Sequence, residues 1–376
     1  MSTTVIDGEK STIVRTNRAR TGEAAEDGGT STEAATAAGG PDAGDRPPPA
    51  EATRWRVRWA GTALRGVAGG LARVSPAAAA ALLELLFRRV RRHPVPERER
   101  AWLAGAARSS VELGGARLPV WSWGEGPAVL LVHGWEGRGS QMGAFAEPLA
   151  AAGFRAVAYD APGHGDAPGR LSSLPAMIEA VAAVAAAVGP LAGVVAHSAG
   201  AAATSVALRR SLGAAGGLAP EAVVYVAPGA DPGRFLGVAA GWLGLPPEIA
   251  GRTRRRIEGR FDIRFEDLRT PSFAAALDRP LLVVHDRDDR EVPWEEGSAI
   301  AAAWPGARLV TTRGLGHRRV LREPEVVERA VGFVADRGKR GAARSSPGGP
   351  AEGSRVTAAD RRPTPMPRPR RDRLAG

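Results

Sequence analysis

From residue 109 to residue 335 the chain alternates short apolar runs with longer stretches of helical periodicity, and this alternation restricts the fold. The apolar runs lie at 128–132, 156–159, 194–196, 222–226, 281–285 and 308–312. Each is too short for a helix and mostly apolar on both faces, as strands covered from two sides must be. Helices are predicted between them at 141–152, 175–188, 199–212, 298–304 and 324–335. Such alternation specifies an α/β fold with a mostly parallel sheet flanked by helices. The runs 109–113 and 117–123, divided by Gly114-Gly115, add an antiparallel hairpin at the start of the sheet.

The alternation breaks at 228–278, where an apolar helix around 235–245 and a basic one around 247–260 read as a short helical cap inserted into the 105–337 domain. Ahead of that domain, residues 54–104 form an N-terminal helical extension. Trp55, Trp59, Leu64, Val67, Leu71 and Val74, then Leu82, Leu83, Leu85, Leu86 and Val90, recur at helical spacing among arginines, with a break near Ser75-Pro76. Two readings compete. The helices of 54–92 can lie on an anionic membrane surface through a Trp/Arg face, or they can pack on the domain that follows, arginine stems covering its edge; the second is favoured. A further short helix is expected over 97–107. Residues 1–53 and 338–376 are too polar and too rich in Ala, Gly and Pro to offset their ordering entropy, and both are expected to be disordered tails.

The absence of cysteine removes disulfides, thiolate metal sites and cysteine nucleophiles from consideration. A net charge of +11 suggests nucleic acid until it is divided along the chain: 1–50 carries −3, 51–104 and 338–376 carry +7 each, and 105–337 is neutral. All basic residues except Lys10 and Lys339 are arginine, and no basic-aromatic platform accompanies them, so no nucleic-acid partner is expected. Residues 1–30 hold no apolar run of the kind a cleavable signal needs. The most apolar stretch, 76–87, falls short of the roughly 20 residues that cross a bilayer. A soluble, cytoplasmic protein is expected.

The chemistry gathers where strands end. Val194-Val195-Ala196-His197-Ser198-Ala199-Gly200 places Ser198 at a strand-to-helix turn, beside the free N–H groups of a helix start. The run 128–132 ends in His133-Gly134-Trp135, whose turn can direct the Trp135 N–H at the same place as the Ala199 N–H. Tyr159-Asp160-Ala161-Pro162-Gly163-His164-Gly165 is a rigid turn, and Asp160 and His164 are read as bonding loop backbone. After 281–284 come His285-Asp286-Arg287-Asp288-Asp289-Arg290-Glu291-Val292-Pro293. A carboxylate here can orient an imidazolium, and spacing alone does not choose among the three aspartates. Gly314-Leu315-Gly316-His317 follows the last strand. The order serine, acid, histidine fits one loop, one helix and one strand between acid and histidine. Five of the six histidines fall in these loops; His93 alone lies outside them.

These motifs resemble those of the α/β-hydrolase family over 109–335. His133-Gly134-Trp135 is similar to its HG oxyanion turn, Asp160 to Gly165 to its DxPGHG loop, and Ser198 to its nucleophile in an elbow written GxSxG. His317 fills its GxGH position. In the family's acid motif, HGxxDxxVP, the aspartate position is Asp289, with Val292-Pro293 at the motif's end. Two residues depart from the pattern. Ala196 replaces the first elbow glycine, and Asp286 stands where the family has glycine, which keeps Asp286 and Asp288 as weaker candidates for the acid.

The resemblance implies the α/β-hydrolase fold and a serine hydrolase, carboxylesterase- or lipase-like, that cleaves a carboxylic ester, thioester or amide of a small acyl substrate. Ser198 would attack, His317 would carry the proton, Asp289 would hold the imidazole, and the N–H groups of Trp135 and Ala199 would bind the oxyanion. No metal or organic cofactor is required. An acyltransferase of the same fold, or a catalytically silent binding protein, are the alternatives.

Overall fold

The computed structural model describes residues 2–7, 10–15, 51–214 and 216–345. Its strands are β1 (Ser2–Asp7), β2 (Lys10–Arg15), β3 (Ala107–Leu113), β4 (Ala116–Trp123), β5 (Ala128–Val132), β6 (Arg155–Tyr159), β7 (Leu191–His197), β8 (Val223–Val226), β9 (Leu281–Asp286) and β10 (Arg308–Thr312). The helices are α1 (Glu51–Val74), α2 (Pro76–Arg88), α3 (Glu97–Ala104), α4 (Ala146–Ala151), α5 (Leu174–Val188), α6 (Ala199–Arg210), α7 (Pro232–Trp242), α8 (Pro247–Phe261), α9 (Trp294–Ala303), α10 (Gly316–Arg319) and α11 (Pro324–Ser345).

One sheet runs in the order β2-β1-β10-β9-β8-β7-β5-β6-β4-β3. The strands from β10 across to β6 are parallel, with antiparallel pairs at both edges. Side chains alternate between the two faces, so each buried strand feeds two cores. Leu130, Val132, Val194, Ala196 and Tyr225 join one core with residues of α5, α6, α9 and α2. Val129, Leu131, Val195, Val224 and Val284 join the other, under α4 and α11. β5 lies between β6 and β7, and the chain changes direction across the sheet there. In open α/β sheets ligands bind outside the carboxyl ends of the strands at such a switch point. The His133-Gly134-Trp135 turn and Ser198 both sit at this point.

The extension packs on the cap. Ser75 caps α2 by accepting the Ala78 N–H at 3.3 Å, and Pro76 takes the first helical position, where a missing N–H costs nothing. Glu84, buried on α2, meets Arg256 at 3.1 Å and also pairs with Arg260, both on α8. Two of the cap arginines are therefore held by a carboxylate of the extension. Arg65 of α1 donates to the Trp242 carbonyl of α7 at 2.6 Å. Among the described residues no helix is long and apolar enough to cross a membrane.

Three sequence expectations change. Residues 2–7 and 10–15, assigned to a disordered tail, form a hairpin whose first strand pairs antiparallel with β10. β-branched Thr, Val and Ile favour strand conformation; residues 1, 8–9 and 16–50 lie outside the described residues. The C-terminal boundary at 337 is too early, because α11 runs on to Ser345 through the good helix formers Lys339, Arg340, Ala342, Ala343 and Arg344; residues 346–376 lie outside the described residues. The helix predicted over 141–152 divides into a 3₁₀ segment, Gly139–Phe145, and the short α4, where Pro148 cannot donate within a longer helix.

Candidate active site

Ser198 lies between β7 and α6 with φ 52° and ψ −122°, a backbone region that non-glycine residues rarely occupy. Such a conformation costs about 1–3 kcal/mol and persists only where the surroundings enforce it. Gly200 is part of that enforcement: a Cβ there would stand 2.4 Å from the His133 carbonyl oxygen and 2.9 Å from that of Val132. The α6 start is thus pressed against the end of β5. Gly134 closes the contact from the other side, since a Cβ on it would lie 2.9 Å from Ser198 Cβ. Ala196, the departure from the elbow pattern, is fully buried and packs its methyl into the core.

The turn after β5 is held by its own histidine. His133 Nδ1 lies 2.8 Å from the Gly134 carbonyl, and its Nε2 accepts the Ala161 N–H at 3.0 Å. The Nε2 acceptor role places the ring proton on Nδ1. Burial foremost, then the neighbouring His164, brings the His133 pKa down to about 3, so the ring stays neutral in this role. The Gly134 carbonyl also accepts the Gly137 N–H at 3.0 Å, closing a turn with Glu136 at φ 55°. In a trans peptide the C=O and the following N–H point in opposite directions. Two donors on the Gly134 oxygen therefore set the direction of the Trp135 N–H. Ala199, first in α6, has an N–H with no intrahelical acceptor.

The loops after β9 and β10 bring Asp289 and His317 together. The strands are parallel neighbours with Asp286 opposite Thr312. Asp289 Oδ2 lies 2.7 Å from His317 Nδ1. Its Oδ1 accepts the N–H groups of Glu291 at 2.8 Å and Val292 at 2.9 Å. Burial raises the Asp289 pKa, but bonds from His285 and His317, the His317 charge and the Val292 N–H outweigh it and hold the carboxyl well below the usual range. Asp288 instead accepts the Gly314 N–H at 2.9 Å, and Asp286 is bonded to Thr312 and to backbone. Of the three aspartates, Asp289 meets the histidine.

His317 is also fixed to the elbow. His197, the residue before Ser198, donates from Nε2 to the His317 carbonyl at 3.1 Å, and the two rings lie 4.6 Å apart between centroids. The loop after β10 thereby spans β9 and β8 to reach the end of β7. His285, buried under Asp289, donates from Nε2 to the Val292 carbonyl at 3.0 Å, with Asp289 Oδ2 at 3.4 Å. Sequence reasoning placed both histidines in the motifs but assigned them no partner. Asp160 accepts the N–H groups of Gly139 and Asp166, each at 2.7 Å, and His164 Nδ1 lies 3.0 Å from the Pro162 carbonyl, the loop-bonding role expected of them.

The extension reaches the site as well, which the sequence did not indicate. Phe87 of α2 stacks on Trp135 at 6.4 Å between centroids, and the His164 ring meets that indole in a T-shaped pair at 5.2 Å. Arg91 bonds Glu136 from Nε at 2.9 Å, and Arg92 donates to the carbonyls of Gly163, Ala167 and Gly169. The strap after α2 therefore grips both the 133–137 turn and the 160–169 loop.

The model of the alpha/beta hydrolase family matches residues 129–330, more than half of the chain. The chain belongs to this family. Among solved structures, a putative lipase from Acinetobacter baumannii is similar at TM-score 0.50 and 16% identity, over 66% of this chain and 99% of that one. Est1E of Butyrivibrio proteoclasticus, solved with ferulic acid, is similar at TM-score 0.48 and 20% identity, over 62% and 99%. A thermophilic esterase from Thermogutta terrifontis is similar at TM-score 0.44 and 21% identity, over 64% and 98%. No curated protein matches.

Proposed function

We propose that this alpha/beta hydrolase is a serine hydrolase that cleaves a carboxylic ester through an acyl-enzyme on Ser198. The observation that carries the reading is the position of His317, bonded to Asp289 at 2.7 Å through its ring and to His197, next to Ser198, through its carbonyl. With Nδ1–H given to Asp289, the His317 Nε2 is free to act as base. It takes the Ser198 proton as Oγ adds to the acyl carbon. The tetrahedral oxyanion is bound by the N–H groups of Trp135 and Ala199, each donor contributing about 10² to 10³ in rate. Imidazolium then protonates the leaving alcohol, and a water molecule, deprotonated by the same nitrogen, releases the acid.

The test is labelling by a fluorophosphonate together with hydrolysis of p-nitrophenyl esters. Ser198 is the expected site of label, lost in Ser198→Ala and strongly reduced in His317→Ala. Folded wild-type protein that takes no label and turns over no ester would overturn the reading. Turnover that rises with added alcohol and yields the transferred ester would instead identify an acyltransferase.

A further inference from the structure

Asp286 stands where the family motif carries glycine, and its surroundings give it a task. It is the last residue of β9, fully buried, opposite Thr312 at the end of β10. Its Oδ1 accepts the N–H groups of Asp288 and Gly316, both at 3.0 Å. These are the residues immediately before Asp289 and His317. Its Oδ2 accepts the Thr312 hydroxyl at 2.7 Å and the Leu315 N–H at 3.1 Å. The loop that presents His317 needs such an anchor: Gly314 and Gly316 sit at φ 78° and 65°, and glycines lose the most conformational freedom when a loop is fixed. A glycine at 286 would offer these donors no acceptor.

We propose that Asp286 is a positioning residue, a single carboxylate that joins the acid loop to the base loop and sets His317 in register with Asp289. The proposal rests on the reading of Ser198, Asp289 and His317 as the reacting groups. Four neutral donors solvate the carboxylate, and burial alone would favour its protonation. Those four bonds outweigh the burial and hold its pKa below the ordinary carboxylate range, so it remains a full acceptor. Asparagine is a poor substitute, because its amide would present N–H groups to donors. Asp286 does not touch the imidazole; it acts by fixing the backbone on which both partners are carried.

The experiment measures kcat and KM for p-nitrophenyl butyrate on the full chain, with the downfield proton resonance of the Asp289–His317 bond as a second readout. Asp286→Asn is expected to lower kcat about 10- to 100-fold, the cost of misplacing a reacting group by around an ångström, with KM within about threefold. The downfield resonance should broaden or vanish while the variant stays cooperatively folded. Thr312→Val removes one donor and leaves the carboxylate, and it decides the matter if Asp286→Asn does not fold; a kcat loss of about threefold with a broadened resonance is expected. Wild-type kcat and an intact resonance in the folded Asp286→Asn variant, or in Thr312→Val where the former fails to fold, would overturn the proposal. Ser198→Ala and Asp289→Asn run in parallel keep the two readings separable. If both are inactive and Asp286→Asn is not impaired, only the positioning role falls; if Ser198→Ala keeps full activity, the reading beneath it falls.

Discussion

The ring of His197 lies against that of His317, and its Nε2–H is given to the carbonyl of His317 rather than to any side chain. Burial, then the neighbouring His317, holds the His197 pKa well below its ordinary value, so this is a neutral donor beside the ring that would receive the serine proton. The bond ties the loop carrying His317 to the residue preceding Ser198. His197→Phe keeps a ring in the space and removes the donor. An activity loss of about tenfold, expressed in kcat with little change in KM, is expected in steady-state ester hydrolysis; one neutral hydrogen bond is worth about that factor.

Asp289 and Asp288 are adjacent and differ in partner, one on the imidazole and the other on a loop N–H. Asp289→Asn replaces a charged acceptor by an amide that also favours the wrong ring tautomer, a change that costs about 10⁴ in kcat where such a pair supports a serine. Asp288→Asn only exchanges a charged for a neutral acceptor in an exposed loop bond and should cost less than about tenfold. Parallel kinetics on the two variants checks the assignment. Equal losses would move it.

Gly200 has no room for a methyl group. The atoms a Cβ would meet, the carbonyl oxygens of His133 and Val132, are backbone and cannot swing aside. Gly200→Ala should therefore push α6 away from β5, destabilising by about 1–3 kcal/mol as overpacked substitutions do. Because Ala199 and Ser198 move with the helix start, ester turnover should fall more than stability does. Thermal unfolding and kcat measured on the same preparation separate the two effects.

Phe87 connects the extension to the turn that carries the Trp135 N–H. An aromatic pair contributes about 0.5–1.5 kcal/mol beyond its buried area, so Phe87→Ala is expected to lower kcat about three- to tenfold with the fold intact. Arg91→Ala, which removes an exposed partner of Glu136, should change kcat by less than about threefold, since exposed ion pairs contribute little. Circular dichroism and ester kinetics on the two variants check this order of effects.

The strands were legible because parallel strands buried on both faces leave uninterrupted apolar runs, as at Leu130-Leu131-Val132 and Val194-Val195-Ala196. The site loops were legible because each follows such a run, three of them on a glycine turn and the fourth on a cluster of aspartates. What could not be read was which partner each side chain takes. Asp286 and Gly316 are 30 residues apart and meet only because β9 and β10 are neighbours in register. His197 and His317 are 120 residues apart, with two strands between their own. The stacking of Phe87 on Trp135 depends on how α2 seats on α8, and helical periodicity reports the apolar face without naming what covers it. The pair of strands at 2–7 and 10–15 was missed because two short β-branched runs within a polar tail need the β10 edge they join for stability.

Acid should weaken the fold through buried histidines. Burial lowers the pKa of His133 to about 3 and that of His164 to about 4, and His197 also lies well below the usual 6.5. The unfolded chain thus binds more protons than the folded one as pH falls below about 6.5, and each such histidine removes up to about 1.4 kcal/mol per pH unit until its folded pKa is reached. Asp160 works in the opposite sense. Its pKa, raised to about 6 mainly by burial, makes the folded state bind the additional proton, so its contribution grows as pH falls from about 6 toward 3.8. Three histidines against one aspartate leave a net loss. The melting temperature should therefore drop between pH 7 and pH 5, and below pH 6 it should drop less steeply than the histidines alone would make it, because Asp160 takes up its proton in the folded state. Asp160→Asn, which removes the opposing group, should steepen the drop below pH 6, and differential scanning calorimetry across that range measures both slopes.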